Sequence, residues 1–196
     1  MTQVEPVIVS GGQGSGKTTF LREMHARFDG PSIFLTTKAN ERKAHQSPPE
    51  RIRESSAQYP ADIERARSWA KQRSETVQII VDECQNAPTF TSGTGPLKKM
   101  LHEDREAGVK TVISTQSPQD LHTKENKYGP VQQCDWWVWV GPLKSWHAGF
   151  FDGNGLSDVK QYMPTRKYEY VVLQPLEGLH GKEKIVAQGQ TDKRFG

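Results

Sequence analysis

Cysteine is scarce in this chain: there are two in 196 residues, Cys84 and Cys134. They stand far apart in apolar surroundings, which excludes a disulfide-stapled scaffold and points to a reduced, intracellular protein. The six histidines never form HExxH or a paired Cys/His spacing, so no zinc site is expected. No run of 18 apolar residues occurs, and no signal-peptide pattern precedes the first strand-like segment. The expectation is a soluble protein, not itself transmembrane, that meets a membrane only through a partner. Internal repeats and a clear linker are also missing. Hydrophobic residues make up 34% of the chain, enough for one core with little to spare. The net charge of +3 is compatible with a polyanionic partner and too small to identify one. The length fits a single domain over residues 1–196.

What is present alternates between strand and helix patterns. Pro6 to Ser10 is a short apolar run, and Ser32 to Thr36, Val77 to Asp82, Lys110 to Thr115 and Cys134 to Val140 are four more. Helical spacing is found over Lys17 to Phe28, Ala61 to Ser74 and Pro96 to Ala107, the last with Pro at its start and Gly108 past its end. The alternation predicts a parallel sheet of βαβ units. Lys38 to Pro60 and Asn86 to Gly95 read as loops. After Gly141 the pattern changes to hairpin-like pieces, Trp146 to Phe151, a DGNG turn, and Tyr168 to Leu173, with a polar, fraying tail of about twenty residues.

Between the first strand and the first helix lies GGQGSGKT, residues 11 to 18. Glycines at this spacing let backbone N–H groups turn inward around phosphate oxygens, and the following helix aims its positive end at the same anion. Gly12, Gln13, Gly14, Ser15, Gly16, Lys17, Thr18 and Thr19 are the candidate nucleotide-binding residues. Lys17 would reach the β- and γ-phosphates, and Thr18 would offer its hydroxyl to Mg²⁺. The third strand ends in Asp82-Glu83. Asp82, closing a buried strand beside the loop, would serve the Mg²⁺ shell. Glu83 would polarise a water for attack on the γ-phosphate. The fourth strand ends in Thr115-Gln116, and Gln116 would touch the γ-phosphate or the attacking water and report hydrolysis to Ser117 to Asp120. The guanine-specific NKxD signal is absent, and Asp152 to Gly155 reads as a tight turn.

GGQGSGKT, IIVDECQN and DREAGVKTVISTQSPQDL come in order and at suitable intervals. Together they resemble the FtsK–HerA superfamily of DNA-pumping ATPases, over about residues 5–140. The resemblance implies a RecA-like ASCE P-loop NTPase core, an α/β fold with sheet order 5-1-4-3-2; beyond it, the hairpin-like pieces read as a small β-rich C-terminal extension over about 141–196. It implies Walker A and Walker B roles for Lys17, Thr18, Asp82 and Glu83, a sensor role for Gln116, and an arginine finger, Arg105, offered to a neighbouring subunit of a hexameric ring. A minimal core with nothing large attached resembles the genome-packaging ATPases of tailless icosahedral viruses with an internal membrane. ATP and Mg²⁺, double-stranded DNA, capsid or membrane packaging-vertex proteins and the host cytoplasm are the cofactors, partners and location so implied.

Candidate DNA-gripping cations are Lys38, Arg42, Lys43, Arg51, Arg53, Lys98, Lys99, Lys124 and Lys127. Trp136 to Trp139 read as core packing in preference to a base-stacking platform. Trp146, Phe150 and Phe151 are candidates for covering an interface. The rivals are a small-molecule kinase, an ATP-binding switch, and a Zot-like ATP-driven assembly or secretion factor acting on a membrane protein.

Overall fold

The computed structural model describes residues 4–36, 51–52, 59–86, 96–121, 134–176 and 178–195. Among the described residues eight strands form one sheet: β1 (Val7–Ser10), β2 (Ser32–Thr36), β3 (Arg51–Ile52), β4 (Val77–Val81), β5 (Val109–Thr115), β6 (Trp136–Val140), β7 (Glu169–Leu173) and β8 (Ile185–Gln190). Their order across the sheet is β3-β2-β4-β5-β1-β6-β7-β8. The first six strands in that order pair parallel, and β7 and β8 add on antiparallel. Five strands were expected. Taken alone and read from β6 toward β2, those five follow the expected order. The sheet departs from the expectation at both edges, through β3 beyond β2 and through β7 and β8 beyond β6.

The strands read as continuous apolar runs because both faces are covered. Ile8, Ile33, Ile79, Val81, Ile113, Trp137 and Trp139 point to one face. There they pack against α2 (Tyr59–Arg73), α3 (Pro96–His102) and α4 (Ala148–Gly153) through Ile63, Ala66, Ala70, Met100, Leu101 and Phe151. Val7, Val9, Phe34, Ile80, Val112, Val138 and Val140 point to the other face, against Phe20 and Leu21 of α1 (Lys17–Arg27). The tryptophan strand is therefore core. Trp137 stacks on Phe151 with ring centroids 4.7 Å apart, a pair worth about 0.5–1.5 kcal/mol beyond its buried area.

Three expectations need correction. The helix from Pro96 stops at His102, not Ala107. Asp104 ends it: its carbonyl accepts the N–H groups of Ala107 and Val109, and its buried carboxylate is held by Arg67 of α2. Burial raises the Asp104 carboxyl pKa above the usual range, although the Arg67 hydrogen bond opposes the shift. Trp146 to Phe151 is not a hairpin arm. It forms a 3₁₀ turn over Ser145–His147 and then α4, so Phe151 enters the core while Trp146 stays 62% exposed. The tail does not fray either: β8 pairs with β7, Thr191 N–H donates to the Tyr168 carbonyl, and Arg22 of α1 donates to the Phe195 carbonyl. The extension thus continues the main sheet, and much of it is helical. Among the described residues, no helix is long and apolar enough to cross a membrane.

Candidate active site at the carboxyl ends of the strands

Parallel strands end together, so residues just past β1, β4 and β5 converge on one edge of the sheet. β1 passes directly into the glycine loop. Gly11 can carry no side chain, since a Cβ there would stand 2.2 Å from the Val140 carbonyl oxygen at the end of β6. Gly14 and Gly16 have φ of 73° and 108°, which lets the loop wrap before α1 begins at Lys17. Ser15 N–H donates to the Gly12 carbonyl and closes the turn. Lys17 is buried, and its Nζ donates to the carbonyls of Gly11 (2.7 Å) and Gly12 (3.2 Å). A cation is thereby held across the loop.

Thr18 Oγ1 donates to Asp82 Oδ2 at 3.4 Å, joining the start of α1 to the end of β4. Asp82 is buried, and its Oδ1 accepts a 2.6 Å hydrogen bond from Ser114 Oγ on β5. The same Ser114 Oγ accepts the N–H of Glu83 at 2.9 Å. One hydroxyl thus orients both acids. Glu83 itself has φ 51°, a left-handed conformation uncommon for a non-glycine residue, which turns it out of the line of β4. Its Oε1 accepts from Gln116 Nε2 at 2.9 Å, and its Oε2 from Asn86 Nδ2 at 3.2 Å. Gln116 is presented by a turn in which Thr115 Oγ1 donates to the Ser117 carbonyl and accepts the Ser117 N–H.

These groups share a cleft of about 420 Å³, lined by Gln13 to Thr19, Glu83, Gln116, Lys167 and Tyr168. Its donor set fits a nucleoside triphosphate: a glycine loop at a helix N-terminus, one lysine across it, and a hydroxyl–carboxylate pair of the kind that holds a divalent cation. The structure brings together Lys17, Thr18, Asp82, Glu83 and Gln116. Gly12 shapes the loop through its carbonyl.

Arg105 is elsewhere. Its Nη2 pairs with Asp135 Oδ2 at 2.9 Å, and the Asp135 N–H donates to the Pro6 carbonyl just before β1. That puts Arg105 at the amino ends of β1 and β6, across the sheet from the cleft of its own chain. Of the candidate DNA cations, Lys38, Arg42, Lys43, Arg53, Lys124 and Lys127 lie outside the described residues, as do the side chains of Arg51 and Lys98. Lys99 is exposed on α3, with Glu64 and Glu103 within 4 Å.

Four contributors escaped the sequence reading: Ser114, Gly141, Lys167 and Tyr168. Gly141 follows β6 with φ 75°, and a Cβ there would stand 2.7 Å from the Ser15 Cβ. A glycine immediately after an apolar strand is a signal of close backbone approach. Tyr168 has no such signal, because its contact with the loop is made across the whole fold.

No family model matches the chain, and no curated protein is significantly similar to it. Solved structures do match. The genome-packaging NTPase B204 of Sulfolobus turreted icosahedral virus 2, in complex with ATP-gammaS, superposes with a TM-score of 0.68 at 13% identity, covering 98% of this chain and 100% of that one. B204 of Sulfolobus turreted icosahedral virus, described as a DNA-packaging ATPase, gives 0.69 at 14% identity with the same coverage. The cytoplasmic domain of the Thermomonospora curvata type VII secretion ATPase EccC gives 0.61 at 13%, covering 98% of this chain and 24% of that one. At these identities the likeness shows the fold: a P-loop ATPase fold, matched end to end in B204.

Proposed function

We propose that this chain is an ATP-hydrolysing motor that translocates double-stranded DNA and packages a viral genome into a preformed capsid. The observation that carries the reading is the cleft lined by Lys17, Thr18, Glu83 and Gln116, with Asp82 hydrogen-bonded to Thr18 beside it, on a sheet matched over its full length by a genome-packaging NTPase.

The chemistry follows from the placements. The loop N–H groups and Lys17 bind the phosphates of ATP. Thr18 and Asp82 would hold Mg²⁺, which when bound neutralises charge on the β- and γ-phosphates. Glu83 accepts a proton from a water as the water oxygen bonds to the γ-phosphorus. The bond to the β,γ-bridging oxygen breaks and ADP leaves with that electron pair. Gln116, held on Glu83, orients the water and senses loss of the γ-phosphate. Arg105, on the far side of its own subunit, serves the cleft of the next subunit in a homo-oligomeric ring, a hexamer in this reading. Hydrolysis then depends on assembly, as a motor that closes around DNA requires. Grip on DNA is independent of sequence and runs through backbone phosphates. The motor works in the host cytoplasm, against capsid or membrane proteins of the packaging vertex.

The test is steady-state ATP hydrolysis with and without long double-stranded DNA over a salt series, with Glu83→Gln as the blank. Stimulation by DNA that fades with salt supports the motor. Hydrolysis indifferent to DNA supports a second reading, a Zot-like assembly or secretion factor, which the fold's likeness to EccC favours.

A further inference from the structure

The antiparallel hairpin of β7 and β8 ends its reach on the glycine loop. Tyr168, just ahead of β7, donates its N–H to the Ser15 carbonyl at 2.9 Å, and its own carbonyl accepts the Thr191 N–H at 2.7 Å. Its ring lies on Gly16 so closely that a Cβ at Gly16 would stand 2.5 Å from the ring Cδ1. Tyr168 is held in this place with φ 70°. A bulky residue in the left-handed region is strained, and such strain persists where surrounding contacts over-determine it, typically at ligand clamps.

The strained residue positions a cation. Lys167 Nζ sits 4.5 Å from the centroid of the Tyr168 ring, and both residues line the cleft that holds Lys17, Thr18, Glu83 and Gln116. No carboxylate is paired with Lys167 among the described residues. Lysine ammonium groups over aromatic faces are attracted by the ring quadrupole, so the ring keeps an otherwise mobile side chain at the rim of the cleft. A triphosphate brings roughly four negative charges to a cleft whose other charged lining groups are Lys17 and the Glu83 carboxylate.

We infer that Lys167 is a second phosphate-binding cation of this site, supplied in cis by the C-terminal hairpin, and that Tyr168 is its positioning residue. The inference rests on the reading of the cleft as a nucleoside triphosphate site. It makes the hairpin part of the nucleotide pocket.

The experiment is equilibrium binding of a fluorescent ATP analogue and of the matching ADP analogue to the purified full chain, in wild type, Lys167→Ala, Lys167→Arg, Tyr168→Leu and Lys17→Ala. Lys167→Ala is expected to weaken ATP binding about tenfold, which is about 1.4 kcal/mol. It should also flatten the salt dependence and narrow the preference for ATP over ADP. Lys167→Arg should restore most of the affinity, and Tyr168→Leu should lose ATP preference in the same direction. Thermal melting of Lys167→Ala should match wild type, since the side chain is exposed. If Lys17→Ala abolishes binding while Lys167→Ala stays within twofold of wild type, the cleft binds nucleotide without Lys167 and the inference is overturned. If Lys17→Ala binds like wild type, the cleft is not the nucleotide site, and the inference falls together with the reading beneath it.

Discussion

Gln116 and Glu83 are hydrogen-bonded across the cleft, Nε2 to Oε1 at 2.9 Å, although 33 positions separate them in the chain. The contact exists because β4 and β5 are neighbours in register, Val81 opposite Ile113, so that the residues just past their ends lie side by side. A carboxylate fixed at one oxygen by an amide donor cannot rotate freely. Its other oxygen, which accepts from Asn86, faces a fixed direction.

Glu83→Gln keeps the size of the side chain and one of its two accepted hydrogen bonds, and removes the base. ATP should bind with near wild-type affinity, while turnover falls by about 10²–10⁴, the range for loss of a general base. Single-turnover hydrolysis beside a binding titration checks this, and full activity in the variant would remove Glu83 from the mechanism.

Gly141→Ala should be damaging far beyond its size. The new methyl must occupy φ 75° backbone and meet Ser15 at 2.7–3.1 Å, against side-chain and backbone atoms alike. The left-handed conformation alone costs roughly 1–2 kcal/mol. A lower melting temperature and weaker ATP binding are expected together, because Ser15 belongs to the phosphate loop. Gly149→Ala is the matched control. It lies in α4 with nothing within 4 Å of the added Cβ, and should be neutral or stabilising by about 0.5–1 kcal/mol.

Arg105→Ala should leave nucleotide binding intact and lower turnover by about 10³–10⁵ if the residue completes a neighbour's site. It also breaks the ion pair with Asp135. Asp135→Asn breaks the same pair and keeps the guanidinium, so it should retain turnover. Equal losses in the two variants would reduce Arg105 to a structural ion pair.

The two cysteines give the folded state a pH signature. Burial pushes both thiols, Cys84 and Cys134, well above the usual range, so they stay protonated in the folded protein. In the unfolded chain they ionise near pH 8.5. Above that pH the unfolded state has shed protons that the folded state keeps, and stability falls as pH rises, by about 2 kcal/mol per thiol between pH 8.5 and 10. Urea melts at pH 7 and pH 10 should show the loss, and Cys84→Ala should have the shallower pH slope. Alkylation by iodoacetamide should require unfolding.

The parts of this site that could be read from the chain are those written within a few residues. GGQGSGKT states its own geometry, and an apolar run ending in Asp82-Glu83 places two acids at a strand end by the logic of parallel sheets. Gln116 follows by the same logic one strand over. What could not be read depends on distant partners. Ser114 looks like any hydroxyl inside a strand until β4 lies beside it. Trp146 to Phe151 carries aromatics at spacings that suit a short strand or a helical turn equally, and Trp137 decided the matter by stacking on Phe151. Asp104 stopped α3 because Arg67 was waiting on α2. Tyr168 acquired its role only when the hairpin folded back onto the loop.

The attachment of β7 to β6 bears on how the chain is made. Val138 and Trp139 pair with Val172 and Val171 in an antiparallel ladder, so β6 is an inner strand of the finished sheet. Synthesis runs from the amino end, and the Trp-Trp-Val-Trp-Val strand leaves the ribosome before the hairpin that covers it. For that interval its outer row of N–H and C=O groups is open, on an aromatic, uncharged strand of the kind that recruits other chains. Premature termination after Gly141 would make the interval permanent. Such a fragment would carry every ATPase motif of the protein and yet be expected to aggregate.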